Sequence, residues 1–316
     1  MLNMLIIASI TAPIFLLILI GFGAVRSGLL PQETIPGLNR FVLYLALPAL
    51  IFTKLSELEI GKVLNVDFLL IYSGACALAF FTVFAISRWL LGDSTSFAGL
   101  KALGGAFPNS VFIGFPVLLQ FFDSPPAQAL VMVVMAENLV LFPLAFACLE
   151  TAAGSKNSHW KGILLTVTQR LVKNPIIIAV FAGILASLAQ LELVGFVAMS
   201  LKLLANAAAP VALLIIGGSL VGAAVSVPIR DIALVSSAKL LLHPLLVLLL
   251  ILTLSPGMDP MLKQAAIIFA ACPMMSMYPI IGSSYGHQSY CASVLLVTTL
   301  LAFVTVTLVL GMTSGF

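Results

Sequence analysis

The stretch Phe107-Pro108-Asn109-Ser110-Val111-Phe112-Ile113-Gly114-Phe115-Pro116 constrains this chain more than any other. It lies in an apolar run long enough to cross a bilayer, yet no helix can run unbroken through both prolines. Proline has no N–H, and its ring collides with the carbonyl four residues back. The bonds to Gly104 and Phe112 are therefore lost. Hydrocarbon offers no water to the freed carbonyls, so broken backbone persists there only where protein packs it or where it lines a wet cavity. Cys272-Pro273-Met274-Met275-Ser276-Met277-Tyr278-Pro279 has the same character far downstream. Two broken helices, one in each half of a chain, point to a transporter's central binding site.

Only 8% of the 316 residues are charged and 62% are hydrophobic, where a soluble domain carries about 25% charged residues. This is the composition of an all-α polytopic membrane protein without a sizeable soluble domain. A net charge of +3, with no basic-aromatic stretch, gives no reason to expect a nucleic-acid partner. Cys76, Cys148, Cys272 and Cys291 are scattered through apolar runs without CxxC spacing, so they read as small core residues and not as metal ligands or disulfides. The first residues, Met1-Leu2-Asn3-Met4, lack a basic region, and the first apolar run reads as a retained span.

At about 20 apolar residues per span, ten spans are expected: 4–24, 36–54, 67–91, 98–121, 127–149, 174–192, 200–224, 231–254, 262–286 and 290–313. The long polar connection, 150–173, carries Lys156, His159, Trp160, Lys161, Arg170 and Lys173; it is either an amphipathic helix on the membrane surface or a solvated linker. With that loop in the cytoplasm, ten of the fourteen Lys and Arg residues fall on or near the inner face. Only Lys54, Lys62, Lys202 and Lys263 fall outside, and the positive-inside bias puts both termini outside the cytoplasm.

The two halves repeat. Pro48 to Pro108 is 60 residues and Pro210 to Pro273 is 63; Pro48 to Pro116 is 68 and Pro210 to Pro279 is 69. Spans 2 and 7 therefore correspond, as do spans 4 and 9. With five spans in each half the second must enter inverted, a 5+5 repeat with its site near the midplane.

The motifs Phe41-Val42-Leu43-Tyr44-Leu45-Ala46-Leu47-Pro48-Ala49-Leu50-Ile51-Phe52, Pro108 to Pro116, and Pro273 to Gly286 resemble the auxin efflux carrier family. That family includes plant auxin exporters and bacterial malate and malonate permeases. The resemblance covers the whole chain and implies ten transmembrane helices related to the bile-acid sodium symporter fold, with broken helices 4 and 9 crossing. It implies a scaffold and homodimer face from residues 1–60 and, after the loop, 151–225. Residues 61–150 and 226–316 would form a moving transport domain. The plant members' large loop between spans 5 and 6 is here only about 24 residues, which leaves little room for regulation through it.

A helix N-terminus exposes unpaired N–H groups and about half a positive charge, and it binds carboxylates without a basic side chain. Pro116 and Pro279 suit the first turns of the second half-helices at the two breaks. Asn109, Ser110 and Ser276 can hydrogen-bond a ligand or only repair the broken backbone. With Asn138 and the prolines Pro108, Pro116, Pro273 and Pro279 they make up the expected substrate site. Glu137, in the middle of span 5, is the expected coupling residue, as proton carrier or cation ligand, the alternative being a structural partner of the break. Lys239 reads as snorkelling to the interface and His243 as a packing residue.

No GxxxxGK loop, HExxH or Gly-x-Ser-x-Gly turn occurs, so no enzyme class is supported. The expectation is a secondary transporter of small organic anions in the cell's inner (plasma) membrane, without cofactor or metal beyond a coupling H+ or Na+. It would work by elevator-type alternating access. A sodium-coupled symporter of bile-acid-like anions is the rival, and an anion channel a more distant one. The topology is tested with single cysteines at Ser158 and Ser314 in a background lacking the native four. They are expected to label from opposite faces, and labelling from one face would reject ten spans.

Overall fold

The computed structural model describes residues 2–56, 64–152, 172–191, 193–222 and 227–313. Most of the 150–173 connection, including Lys156, His159, Ser158, Trp160, Lys161 and Arg170, lies outside the described residues, as do Lys62 and Ser314. The described residues form helices and no strand. In chain order they are α1 Leu2–Arg26, α2 Thr34–Ser56, α3 Val66–Leu90, α4 Thr95–Ala106, α5 Ser110–Phe121 and α6 Ala127–Leu149. There follow α7 Pro175–Leu188, α8 Gly195–Ser219, α9 Ile229–Leu254, α10 Pro260–Ala271, α11 Tyr278–Ser283 and α12 Gln288–Thr313. Among the described residues six helices, α2, α3, α6, α8, α9 and α12, are long and apolar enough to cross a membrane. The two proline-bearing segments are each split in two, as the chemistry of proline requires.

Helix starts follow ordinary capping chemistry. Asn65 accepts from Phe68 N at 2.8 Å, Ser94 from Phe97 N at 3.2 Å, Asn174 from Ile176 N at 2.9 Å and Asp259 from Leu262 N at 3.1 Å. Each satisfies one of the first-turn N–H groups that has no carbonyl behind it. After Asn174 and Asp259 a proline takes the first helical position, where its missing N–H costs nothing.

The interior prolines act differently. Four π turns, Val42–Ala46, Ser110–Gly114, Glu137–Leu141 and Ala238–Leu242, each end two residues before a proline: Pro48, Pro116, Pro143 and Pro244. Widening the helix to bonds five residues apart makes room for the ring and lets it continue past a proline that would otherwise break it. This corrects one expectation. Pro116 does sit in the first turn of the α-helical stretch Phe115–Phe121, but α5 itself starts earlier, as the π turn at Ser110.

The helices pack in two sets. In one, α1 lies against α8, and α2 lies against α7 and α8. Gly21 and Gly217 bring α1 and α8 to backbone contact, since a methyl group on either would overlap the carbonyl of Leu214 or Ile18. In the other set α3 packs on α4 and α9, α4 on α6, α9 on α10, and α11 and α10 on α12. The sets meet where α1 and α8 touch α5, where α1 touches α12, and where α2 and α7 touch α6.

Within the second set the fully buried Lys101 of α4 bonds Asp93 at 2.6 Å and Asp231 of α9 at 2.9 Å. Ser87 donates to the same Asp93 oxygen at 2.6 Å. Burial alone would raise the Asp93 carboxyl, but the hydrogen bonds from Lys101 and Ser87 hold it below its ordinary value. One ammonium between two carboxylates fixes the entry of α4 against that of α9, so the two halves of the chain are tied at this end.

Candidate functional site

The site is built by the two breaks meeting. After Ala106 the chain turns extended at Phe107, and after Ala271 it does so at Cys272. Pro108 and Met274 then face each other as a single antiparallel bridge, with Asn109 N donating to Pro273 O at 2.7 Å. The breaks thus satisfy part of each other's backbone, which water would do elsewhere. Phe107, Asn109, Ser110, Cys272 and Met274 are all buried.

Asn109 serves both sides of the joint. Its Oδ1 accepts from Phe112 N at 3.3 Å, capping α5, and its Nδ2 donates to Ser276 Oγ at 2.7 Å on the other break. Its backbone carbonyl accepts from both Ile113 and Gly114, at 3.1 and 2.9 Å. One residue later Ser110 Oγ donates to Glu137 Oε1 at 2.6 Å, binding α5 to the middle of α6. Asn138, beside it, donates to its own helix at Val134 O, 2.8 Å away.

A cavity of about 340 Å3 opens beside this joint. It lies at the small end of ligand pockets, which run from about 300 to 1,000 Å3. Pro108, Asn109, Ser110, Glu137, Asn138 and Ser276 line it, so the structure brings these expected residues together on one cavity. Pro116, Pro273 and Pro279 do not line it. Pro116 is buried within α5, Pro273 contributes its carbonyl to the joint, and Pro279 sits in the first turn of α11. The α11 segment is only six residues long. Its dipole is correspondingly slight, and α5 is the helix N-terminus that matters at this cavity.

Sequence reasoning missed three residues on the opposite wall. Asn39 and Arg40 come from the first turns of α2, and Asn174 from the cap of α7. Arg40 had counted only toward topology; the signal that could have found it is its place one turn before the Tyr44–Pro48 motif. The lining also takes in Ile35 and Pro36 of α2, Ile176 of α7 and Ser219 of α8. The cavity therefore extends from the breaks toward the end of the molecule where α2 and α7 begin and α8 ends.

Behind the joint the structure corrects the reading of Lys239. It does not snorkel: its side chain is fully buried, donating to Ala270 O at 2.5 Å and to His243 Nδ1 at 2.9 Å. His243 Nε2 lies 3.3 Å from Cys76 Sγ on α3. Among the described residues no group of three or more His, Cys, Asp or Glu could hold a metal ion, and none of the four cysteines is in a disulfide.

Residues 6–310 match the family described as Membrane transport protein. A protein of Rhizobium meliloti named "Putative malonate transporter" is 32% identical over 302 residues, 95% of this chain and 94% of that protein. An "Uncharacterized transporter" of Methanothermobacter thermautotrophicus is 26% identical over 74% of each chain. A mouse "Lysosomal cholesterol signaling protein" is 28% identical over 183 residues, which cover 54% of this chain but 20% of that protein.

Asn109→Ala removes the cap of α5 and the clamp to Ser276 in one step. The variant is expected to insert in the membrane but to transport at least tenfold more slowly, a loss of about 1.4 kcal/mol or more in transition-state binding. Radiotracer uptake with unchanged affinity and turnover would take Asn109 out of the site.

Proposed function

The chain belongs to the Membrane transport protein family, the auxin efflux carrier family that its motifs resemble, and on that premise we propose that it is a secondary transporter of small carboxylate anions. The observation that carries this reading is the joint of two broken helices on a small cavity lined by Asn109, Ser276, Glu137 and Arg40. The cap of α5 gives N–H groups with no intrahelical acceptor, the amides and hydroxyls give neutral donors, and Arg40 gives one charge in a planar fork suited to a carboxylate. The name borne by the Rhizobium meliloti relative supports a short dicarboxylate.

Charge balance sets the coupling. Glu137 lines the cavity, and the buried cation that acts on it is Lys239, held at the end of α10. In a dry core an anion added beside Glu137 is repelled, at energies several times those in water. Protonating Glu137 removes that charge while leaving a carbonyl oxygen for Ser110 to donate to, so proton and anion enter together. A monoanion with one proton leaves the core's charge unchanged, and a dianion calls for a further cation or for Arg40.

The two packing sets support the expected division of labour. Helices α1, α2, α7 and α8 form the scaffold and homodimer face, and α3–α6 with α9–α12 form the part that carries the site past it. The apolar segments and the matched proline spacings support ten crossings as a 5+5 inverted repeat, with α4–α5 and α10–α11 as the crossing pair. With both termini outside, the cavity opens to the cytoplasm, toward the Lys- and Arg-rich face. A sodium-coupled symporter is the second reading, favoured by Glu137 as an oxygen ligand at the cavity.

Glu137→Gln keeps the shape and the hydrogen bond from Ser110 but cannot titrate. In proteoliposomes it is expected to exchange substrate for substrate at a near-normal rate while losing its response to an imposed pH gradient. Gradient-driven uptake that persists unchanged would place coupling elsewhere. Neutral amide analogues are expected to compete poorly, and their transport at equal rates would reject the anion reading.

A further inference from the structure

The buried Lys239 has no part in the cavity. It lies behind the joint, on the π turn of α9, fully enclosed. Its Nζ donates to the carbonyl of Ala270, next to last in α10, at 2.5 Å. The last carbonyls of a helix lack an intrahelical partner and carry the negative end of its dipole. In an intact span the Ala270 carbonyl would bond the N–H four residues on; here the chain has already turned extended at Cys272. A bare carbonyl in a dry core is costly, and here the donor that satisfies it is a lysine ammonium, whose charge also suits the negative end of the helix.

The second donor bond fixes the rest. Lys239 donates to His243 Nδ1 at 2.9 Å, so that nitrogen holds a lone pair and the proton of the neutral imidazole is on Nε2. Nε2–H then points to Cys76 Sγ at 3.3 Å. The His243 ring lies against Tyr72, their centroids 5.7 Å apart. The titratable groups around the ammonium are therefore His243 on its own helix, Cys76 and Tyr72 on α3, Cys272 at the end of α10 and Glu137 on α6. Glu137 alone among them supplies an opposite charge.

We infer that Lys239 is a tethered cation: its ammonium occupies, on a covalent leash, the place at a helix break where a metal-driven carrier would hold a free monovalent ion. An ammonium and a sodium ion carry the same charge and both bind carbonyl oxygens, but the ammonium cannot leave. The positive charge at the end of α10 is then present in every state of the cycle, and this protein needs no sodium. The inference rests on the transporter reading only for its transport assay, since the stability measurement below stands without it.

The test compares wild type with Lys239→Ala, in choline-only buffer and with sodium, lithium or methylammonium added. Wild type is expected to transport equally with and without sodium, and its melting temperature in detergent to stay within a degree. In Lys239→Ala the same ions are expected to raise the melting temperature by several degrees and to recover transport at least threefold from a tenfold loss. Sodium stimulation of the wild type overturns the inference. So does a Lys239→Ala protein that transports at the wild-type rate without added cation, or one that no small cation stabilises. Should the variant fail to insert, the wild-type sodium comparison decides. If wild type transports no carboxylate at all, the transporter reading fails, while the melting comparison still tests the tethered cation.

Discussion

Everything in this molecule depends on how two interrupted helices satisfy their backbone in a place without water. Pro108 and Pro273 remove donors and turn the chain extended, and each break alone would strand polar groups in hydrocarbon. Set side by side they form a one-bridge joint, with Asn109 N on Pro273 O and Asn109 Nδ2 on Ser276 Oγ. The joint requires the two halves of the chain to meet, and so it fixes where α4, α5, α10 and α11 lie. What it leaves over, the first N–H groups of α5 and the second N–H of Asn109 Nδ2, is what the proposed anion would use. The structural need and the functional opportunity have one origin.

Charge is distributed around that joint with economy. Glu137 lies on the cavity side, held by Ser110, and Lys239 lies behind, held by Ala270 O and His243. The two charges do not bond each other; each is held by neutral groups of the joint's surroundings. Ser110, Glu137 and Lys239 all sit in the first two positions of π turns that precede a proline. The prolines thus do more than break helices: they widen turns at the places where polar side chains enter the core, a setting in which π turns recur.

Much of this was legible in the residues. Pro108, Pro116, Pro273 and Pro279 mark the breaks because proline chemistry is local; the caps at Asn65, Ser94, Asn174 and Asp259 are equally local, but spans drawn from apolar length passed over them. Asn109, Ser110, Glu137, Asn138 and Ser276, polar residues at or beside the breaks, do gather on one cavity. Arg40 escaped notice because lining a cavity depends on how α2 packs against α6, α7 and α8, which no local pattern carries. Lys239 was misread because a lone lysine in an apolar run usually reaches the interface. Only the end of α10, distant in sequence, gives it a reason to stay inside. The start of α5 at Ser110 was hidden because a π turn before Pro116 and a plain break read alike in the sequence.

The claim on which the account turns is that an anion binds at the joint. The most direct measurement is a crystal structure with a brominated analogue of the best-transported carboxylate, its bromine located by anomalous scattering. The account predicts a peak in the cavity, with the carboxylate within hydrogen-bond reach of Asn109 and the first turn of α5, and no peak in crystals of Asn109→Ala. An ordered analogue bound away from both breaks, or one bound equally well in the variant, would contradict it.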